Sequence, residues 1–94
     1  MEFRNMTEST NETDVERRTI AIVADIFAVD PGDIDRDTRF VGDLNAKSMD
    51  IIALLAAMEG EFGFPISASN VRENETVGEA ADWIETQLDQ REEA

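Results

Sequence analysis

The amino-acid sequence predicts an all-α domain, a small four-helix bundle of three main helices and one short one, with a long loop between the first two. Apolar residues recur at helical spacing, the alternation typical of strands appears nowhere, and capping or breaking residues flank the helical segments. A chain of 94 residues suits one small domain. We expect a flexible tail over 1–12, the domain over 13–90 and a flexible end over 91–94.

The first helix is expected to begin at Thr13 or Asp14, where a side-chain oxygen can cap it, and to end near Ala28. Pro31 disfavours helical backbone in the residue before it. A loop then extends to Lys47, and its length is typical of functional loops, since few connections in compact domains exceed roughly 12 to 15 residues. Its apolar residues are expected to pin it to the core: Ile34, Phe40, Val41 and Leu44.

The second helix is expected over about 49–62, because this largely apolar run favours a helix and is too long for an ordinary strand. Gly63 and Pro65 end it. Residues 67–72 can form a short third helix, and Thr76 is expected to cap a last, amphipathic helix.

The charge balance excludes several classes of function. Lys and Arg number 8 and Asp and Glu number 22, so the net charge of −14 opposes binding to nucleic acid or anionic membranes and favours basic partners. Without Cys or His the chain lacks a thiol nucleophile and the commonest general base, so we expect no enzyme activity. No apolar run approaches the roughly 18 residues of a membrane span, and we expect a soluble, cytoplasmic monomer without membrane insertion.

Aspartates in the long loop suggest a calcium site, because Asp33-x-Asp35-x-Asp37 matches the first side-chain ligands of an EF-hand loop. The match then fails. Thr38 stands where an EF-hand has glycine, and Leu44 stands where it has a bidentate glutamate. The sequence therefore predicts a solvated acidic loop and no metal site.

Ser48 lies where the long loop meets the most apolar helix. By position it is expected to be the N-cap, with its hydroxyl accepting a hydrogen bond from a first-turn N–H group. A second interpretation is chemical. An anionic group esterified to Ser48 would lie in the positive field of the helix N-terminus, beside Lys47, the only lysine of the chain.

The residues before and after Ser48 form two strings, Val29-x-Pro31-x-x-Ile34 and Phe40-Val41-x-Asp43-Leu44-x-x-x-Ser48-Met49-Asp50. This pattern resembles the acyl carrier protein family, in which an Asp-Ser-Leu motif marks the serine that receives 4′-phosphopantetheine. The resemblance covers about residues 13–88, with helix order, loop lengths and acidity like those of the family.

The resemblance implies that Ser48 is joined through a phosphodiester to 4′-phosphopantetheine from coenzyme A, a flexible arm that ends in a thiol. Acyl groups would be carried on this thiol as thioesters for fatty-acid, polyketide or lipid biosynthesis, and the carrier would not catalyse. The implied partners are a phosphopantetheinyl transferase and acyl-loading or acyl-processing synthases with basic or apolar docking surfaces. The implied motif and partner contacts are Asp43, Leu44, Lys47, Met49 and Asp50.

Two features depart from the family pattern. Lys47 stands where the family usually has aspartate or another small polar residue, so we expect it to pair with the phosphodiester or to alter the choice of partner. The second helix is entirely apolar between Asp50 and Glu59, where the family carries several acids. We expect its alanines to face outward and docking to depend on apolar contact, with Met49 near its centre.

The same resemblance suggests an acyl pocket between the helices, although ordinary core packing is the alternative for each candidate residue. The candidates are Phe40, Leu54, Leu55, Met58, Phe62, Ile66, Val77 and Ile84.

Two other functions stay open. A carrier of aminoacyl or peptidyl units is disfavoured by the strong acidity and by the string around Ser48. An unmodified acidic interaction module with the same fold would use its surface as a polyanion. Modification of Ser48 separates this module from the carriers, and the preferred loading substrate separates the two carriers.

Overall fold

The computed structural model describes residues 13–93, and the tail expected over 1–12 lies outside them. The elements are α1 over Asp14–Phe27, a 3₁₀ helix over Pro31–Asp33, α2 over Ser48–Phe62, α3 over Ala68–Arg72 and α4 over Val77–Glu93. The predicted all-α bundle with a long first loop is confirmed. The domain boundary expected at residue 90 falls inside α4. None of the helices described is long and apolar enough to cross a membrane.

Local caps set the ends of α1 and the start of α4 as the sequence predicts. Thr13 accepts a hydrogen bond from the Glu16 N–H at 3.0 Å, and Ala28 ends α1 in the left-handed conformation. At the start of α4, the Thr76 hydroxyl accepts a hydrogen bond from the Glu79 N–H at 3.2 Å. These side-chain oxygens satisfy donors that have no partner inside the helix.

The core lies between α1, α2 and α4, and α1 packs against both of the others. Its largest fully buried apolar side chains come from all three helices: Val23, Leu54, Val77 and Ile84. Ile34 and Phe40 are buried with them and Leu44 packs against them, so these three pin the loop as expected. Val41 does not, because it is 70% exposed. The Phe40 side chain is buried in the core, whereas the side chain of the next residue, Val41, faces solvent.

Backbone hydrogen bonds fasten the long loop to the start of α4. The Phe40 N–H donates to the Glu75 carbonyl at 3.1 Å, and the Val77 N–H donates to the Thr38 carbonyl at 3.0 Å. These bonds flank an isolated antiparallel bridge between Arg39 and Thr76. The loop segment that leads to Ser48 is thereby held against a helix more than thirty residues later in the sequence.

Arg36 joins this loop to α1 and α4. Its guanidinium donates to both carboxylate oxygens of Asp82, at 2.7 and 3.2 Å, and to Glu16 at 3.1 Å. The hydrogen bonds to Asp82 and then to Glu16 raise the pKa of Arg36 above its ordinary value. The Glu16 side chain is only 6% exposed, so Arg36 supplies the positive charge that this buried carboxylate needs.

Two glycines near the end of α2 give opposite predictions. Gly63 has a φ of 82°, where a side chain is strained, so Gly63→Ala is expected to lower the free energy of unfolding by about 1 kcal/mol. Gly60 lies inside the helix with nothing within 4 Å of an added Cβ. Gly60→Ala is therefore expected to raise the free energy of unfolding by up to about 1 kcal/mol. Urea unfolding of both variants measures the difference, and stabilisation by Gly63→Ala would contradict the assigned conformation.

Candidate functional site

Ser48 is the first residue of α2, its side chain is exposed, and its hydroxyl makes no hydrogen bond to any residue in 13–93. The N-cap is Lys47, which corrects the expectation that Ser48 caps the helix. The physical reason is that the Asp50 carboxylate accepts a hydrogen bond from the Lys47 N–H at 3.0 Å, so the helix begins at Ser48, one residue earlier than a serine cap would require. The Ser48 hydroxyl is therefore available at the surface.

The start of α2 offers the partial positive charge of a helix N-terminus. The first-turn N–H groups have no partner inside the helix, and the Lys47 ammonium can only donate, so it caps none of them. An anionic group on Ser48 would be stabilised there by about 0.3 to 1 kcal/mol. Lys47 places a formal positive charge at the same helix end.

A cavity of about 540 Å³ lies beside Ser48, between the long loop and the segment that precedes α4. Its apolar lining comes from Phe40, Val41, Ala46 and Ile51, and its polar lining from Arg39, Lys47, Ser48, Asn74 and Glu75. Its volume lies within the range of roughly 300 to 1,000 Å³ usual for small-molecule sites.

Among the apolar residues proposed from the sequence for an acyl pocket, Phe40 lines this cavity. The rest belong to the core: Leu54, Met58, Ile66, Val77 and Ile84 are buried, and Leu55 and Phe62 are half-buried against them. Ala46 and Ile51 also line the cavity and were not among the candidates from the sequence. Helical spacing could not find them, because the cavity is formed where the loop crosses other parts of the fold.

The motif residues around Ser48 divide into two groups. The Asp43 carboxylate accepts a hydrogen bond from the Arg39 N–H at 2.8 Å, Leu44 packs against the core, and Asp50 binds the N–H of the N-cap residue. These three shape the loop and the start of α2. Lys47 and Met49 are exposed and can contact a partner.

One side of α2 presents an apolar face, formed by Met49, Ile52, Ala53 and Ala56 at helical spacing. Met49 is 80% exposed and Ile52 is 63% exposed. The expectation that alanines face outward is confirmed for Ala53 and Ala56, whereas Ala57 is half-buried. The sequence predicts that some of the apolar residues over 51–58 face outward but does not single out Ile52, because several rotations of an all-apolar helix satisfy the same sequence.

Residues 17–84 match the family model described as "Phosphopantetheine attachment site". The acyl carrier protein of Porphyromonas gingivalis is 36% identical over 76 residues, which cover 81% of this chain and 97% of that protein. The chain belongs to the acyl carrier protein family. Acyl carrier protein 2 of Pseudomonas aeruginosa is 38% identical over 72 residues, covering 77% of this chain and 91% of that protein. The acyl carrier protein of Thermosynechococcus vestitus is 35% identical over 78 residues, which cover 83% of this chain and 96% of that protein.

Acyl carrier proteins are carriers and not catalysts, and the matched domain is the one that takes a covalently attached phosphopantetheine. The residues around Ser48 fit such a group. The hydroxyl is exposed at the positive end of a helix, and a cavity with apolar lining adjoins it.

Proposed function

We propose that this acyl carrier protein carries acyl intermediates as thioesters on a 4′-phosphopantetheine arm attached to the Ser48 Oγ, for fatty-acid, polyketide or lipid biosynthesis. The observation that supports the proposal most directly is the exposed Ser48 hydroxyl at the first position of α2, beside the cavity. The arm supplies a thiol when bound, which accords with the absence of cysteine from the chain. The chain itself exposes the acceptor hydroxyl and offers a positive environment to the phosphodiester.

Attachment exchanges one phosphorus–oxygen bond for another. A bond forms between the Ser48 Oγ and the phosphorus that bears the pantetheine, the pyrophosphate bond of coenzyme A breaks, and the adenosine bisphosphate leaves. The hydroxyl proton passes to a base on a phosphopantetheinyl transferase, the first partner that the proposal requires. No described residue makes a hydrogen bond to the Ser48 Oγ, so the base is assigned to the transferase.

The test is the intact mass of the folded protein after incubation with coenzyme A and a broad-specificity phosphopantetheinyl transferase. A gain of one phosphopantetheinyl group, followed by acylation with acyl substrates in preference to aminoacyl substrates, supports the acyl carrier. Preferential aminoacylation would support a carrier of aminoacyl or peptidyl units. A folded protein that gains no mass with a panel of transferases would indicate an unmodified acidic module and overturn the proposal.

The α2 apolar face suits synthases whose docking surfaces are apolar. Met49→Asp and Ile52→Asp are each expected to lower kcat/KM for a synthase that processes the loaded carrier by roughly tenfold, because each puts a charge into an apolar contact. Gln90→Asp places the same charge on an exposed position of α4 and serves as the control.

The salt dependence of docking gives an independent measurement. If apolar contact dominates, raising the ionic strength should change kcat/KM by less than about threefold, since screening weakens charge pairs and leaves apolar burial intact. A collapse of kcat/KM with modest added salt would contradict the apolar docking surface. Monomeric state, a cytoplasmic location and the absence of enzyme activity stay predictions from the sequence.

A further inference from the structure

The positive side chains of this acidic protein are distributed unevenly. Among the described basic side chains, Arg17, Arg18 and Arg36 form ion pairs with carboxylates. The Arg91 guanidinium lies over the Phe64 ring, 4.5 Å from its centre. The other two described basic side chains are those of Arg39 and Lys47.

Among the side chains that the structure describes, no carboxylate lies within ion-pair distance of Arg39 or Lys47. Both line the cavity beside Ser48. In a chain with 22 acidic residues, two cations that pair with none of the described carboxylates at one cavity mark a place suited to an anion. Two carboxylates lie close by and oppose this field. Glu75 also lines the cavity, and Asp50 accepts a hydrogen bond from the Lys47 backbone N–H.

We propose that Lys47 and Arg39 together hold the phosphodiester of the prosthetic arm and so keep the arm over the cavity. This inference rests on the proposed attachment at Ser48. Lys47 adjoins Ser48 in the chain and carries a compact charge on a flexible stem, whereas Arg39 lines the cavity from the loop and carries a planar, multidentate donor. Both are positioning residues, because they act on the phosphate and not on the acyl group that reacts.

The proposal predicts the sign of a stability change. Attachment adds one negative charge to a chain whose net charge is already −14, and self-repulsion alone would make the holo protein less stable than the apo protein. If two cations hold the phosphodiester, attachment instead makes the holo protein more stable than the apo protein. At low ionic strength the holo protein is therefore expected to melt roughly 2 to 4 °C above the apo protein.

The experiment compares apo and holo melting temperatures of the wild type, Lys47→Gln, Arg39→Gln and Arg17→Gln. Arg17 forms an exposed ion pair with Asp14 at 3.0 Å on α1, so its replacement removes one positive charge away from the cavity. Lys47→Gln and Arg39→Gln are each expected to lose at least half of the holo-minus-apo difference, whereas Arg17→Gln keeps it. Lys47→Arg should restore it, and about 0.5 M salt should suppress it in the wild type.

Two kinds of failure are distinguishable. Intact mass is measured first for every sample, and a wild type that gains no phosphopantetheinyl group would refute the attachment itself. Complete attachment with a wild-type holo protein no more stable than the apo protein would overturn only the role of Lys47 and Arg39. The same conclusion would follow if all four proteins showed an equal holo-minus-apo difference.

Discussion

Ser48→Ala is expected to abolish phosphopantetheine attachment completely while leaving the fold intact. The Ser48 Oγ is the only atom of that side chain that can form the phosphodiester, so no residual labelling should remain. Its hydroxyl makes no hydrogen bond within the described residues, and the residue is not the N-cap. The free energy of unfolding is therefore expected to change by less than about 0.5 kcal/mol.

Intact mass after incubation with transferase and coenzyme A measures the first effect, and urea unfolding of the apo proteins measures the second. Ser69→Ala is the matched control, since Ser69 is also an exposed serine near the start of a helix and should leave labelling unchanged. Labelled Ser48→Ala protein would assign the attachment to another residue. A loss of stability above about 1 kcal/mol would instead indicate that Ser48 caps α2 after all.

Arg36→Gln is expected to lower the free energy of unfolding by about 2 kcal/mol, the largest stability effect of any substitution proposed for this protein. The substitution removes the cation 3.1 Å from the buried Glu16 carboxylate and ends the paired hydrogen bonds to Asp82. Burying a carboxylate without a cation is costly, and the loop also loses its link to two helices. Urea unfolding followed by circular dichroism measures the loss.

Two controls separate the buried pair from surface charge. Arg17→Gln removes an exposed ion pair and is expected to cost less than about 1 kcal/mol. In the double variant Glu16→Gln and Arg36→Gln, both charges of the buried pair are absent, so part of the loss should be recovered. Arg36→Gln and Arg17→Gln of equal cost, or a double variant no better than Arg36→Gln, would show that Glu16 does not depend on Arg36.

Arg36 also affects the functional site, because the loop that it anchors supplies much of the cavity lining, including Arg39.

Gly78 of α4 lies in close contact with Arg36. A Cβ added there would come within 2.8 Å of the Arg36 Cβ and 3.0 Å of its carbonyl oxygen. The close approach of α4 to the loop therefore requires glycine at position 78 and explains why the two elements meet so tightly.

The sequence by itself determined the helices, their order and most of their ends. Thr13, Gly63 and Thr76 act on backbone groups a few residues away, so their effects can be deduced from neighbouring residues alone. The attachment candidate was also found from the sequence, because the string from Phe40 to Asp50 occurs together with the helix order, loop lengths and acidity of the family. The prediction that Ser48 is the N-cap failed, because the Asp50 carboxylate accepts a hydrogen bond from the Lys47 N–H at 3.0 Å and the helix starts one residue earlier.

Only the tertiary structure decided which side chains of the loop and of α2 face the core, the cavity or solvent. The ion pair of Arg36 with Glu16, the bridge between Arg39 and Thr76, and the outward position of Ile52 all depend on packing among elements distant in the chain. The cavity and its two cations follow from the same packing, because residues from the loop, α2 and the segment before α4 meet there. Helical periodicity predicts that a helix has an apolar face. Contacts between distant segments decide whether that face packs in the core, lines a cavity or is left exposed for docking.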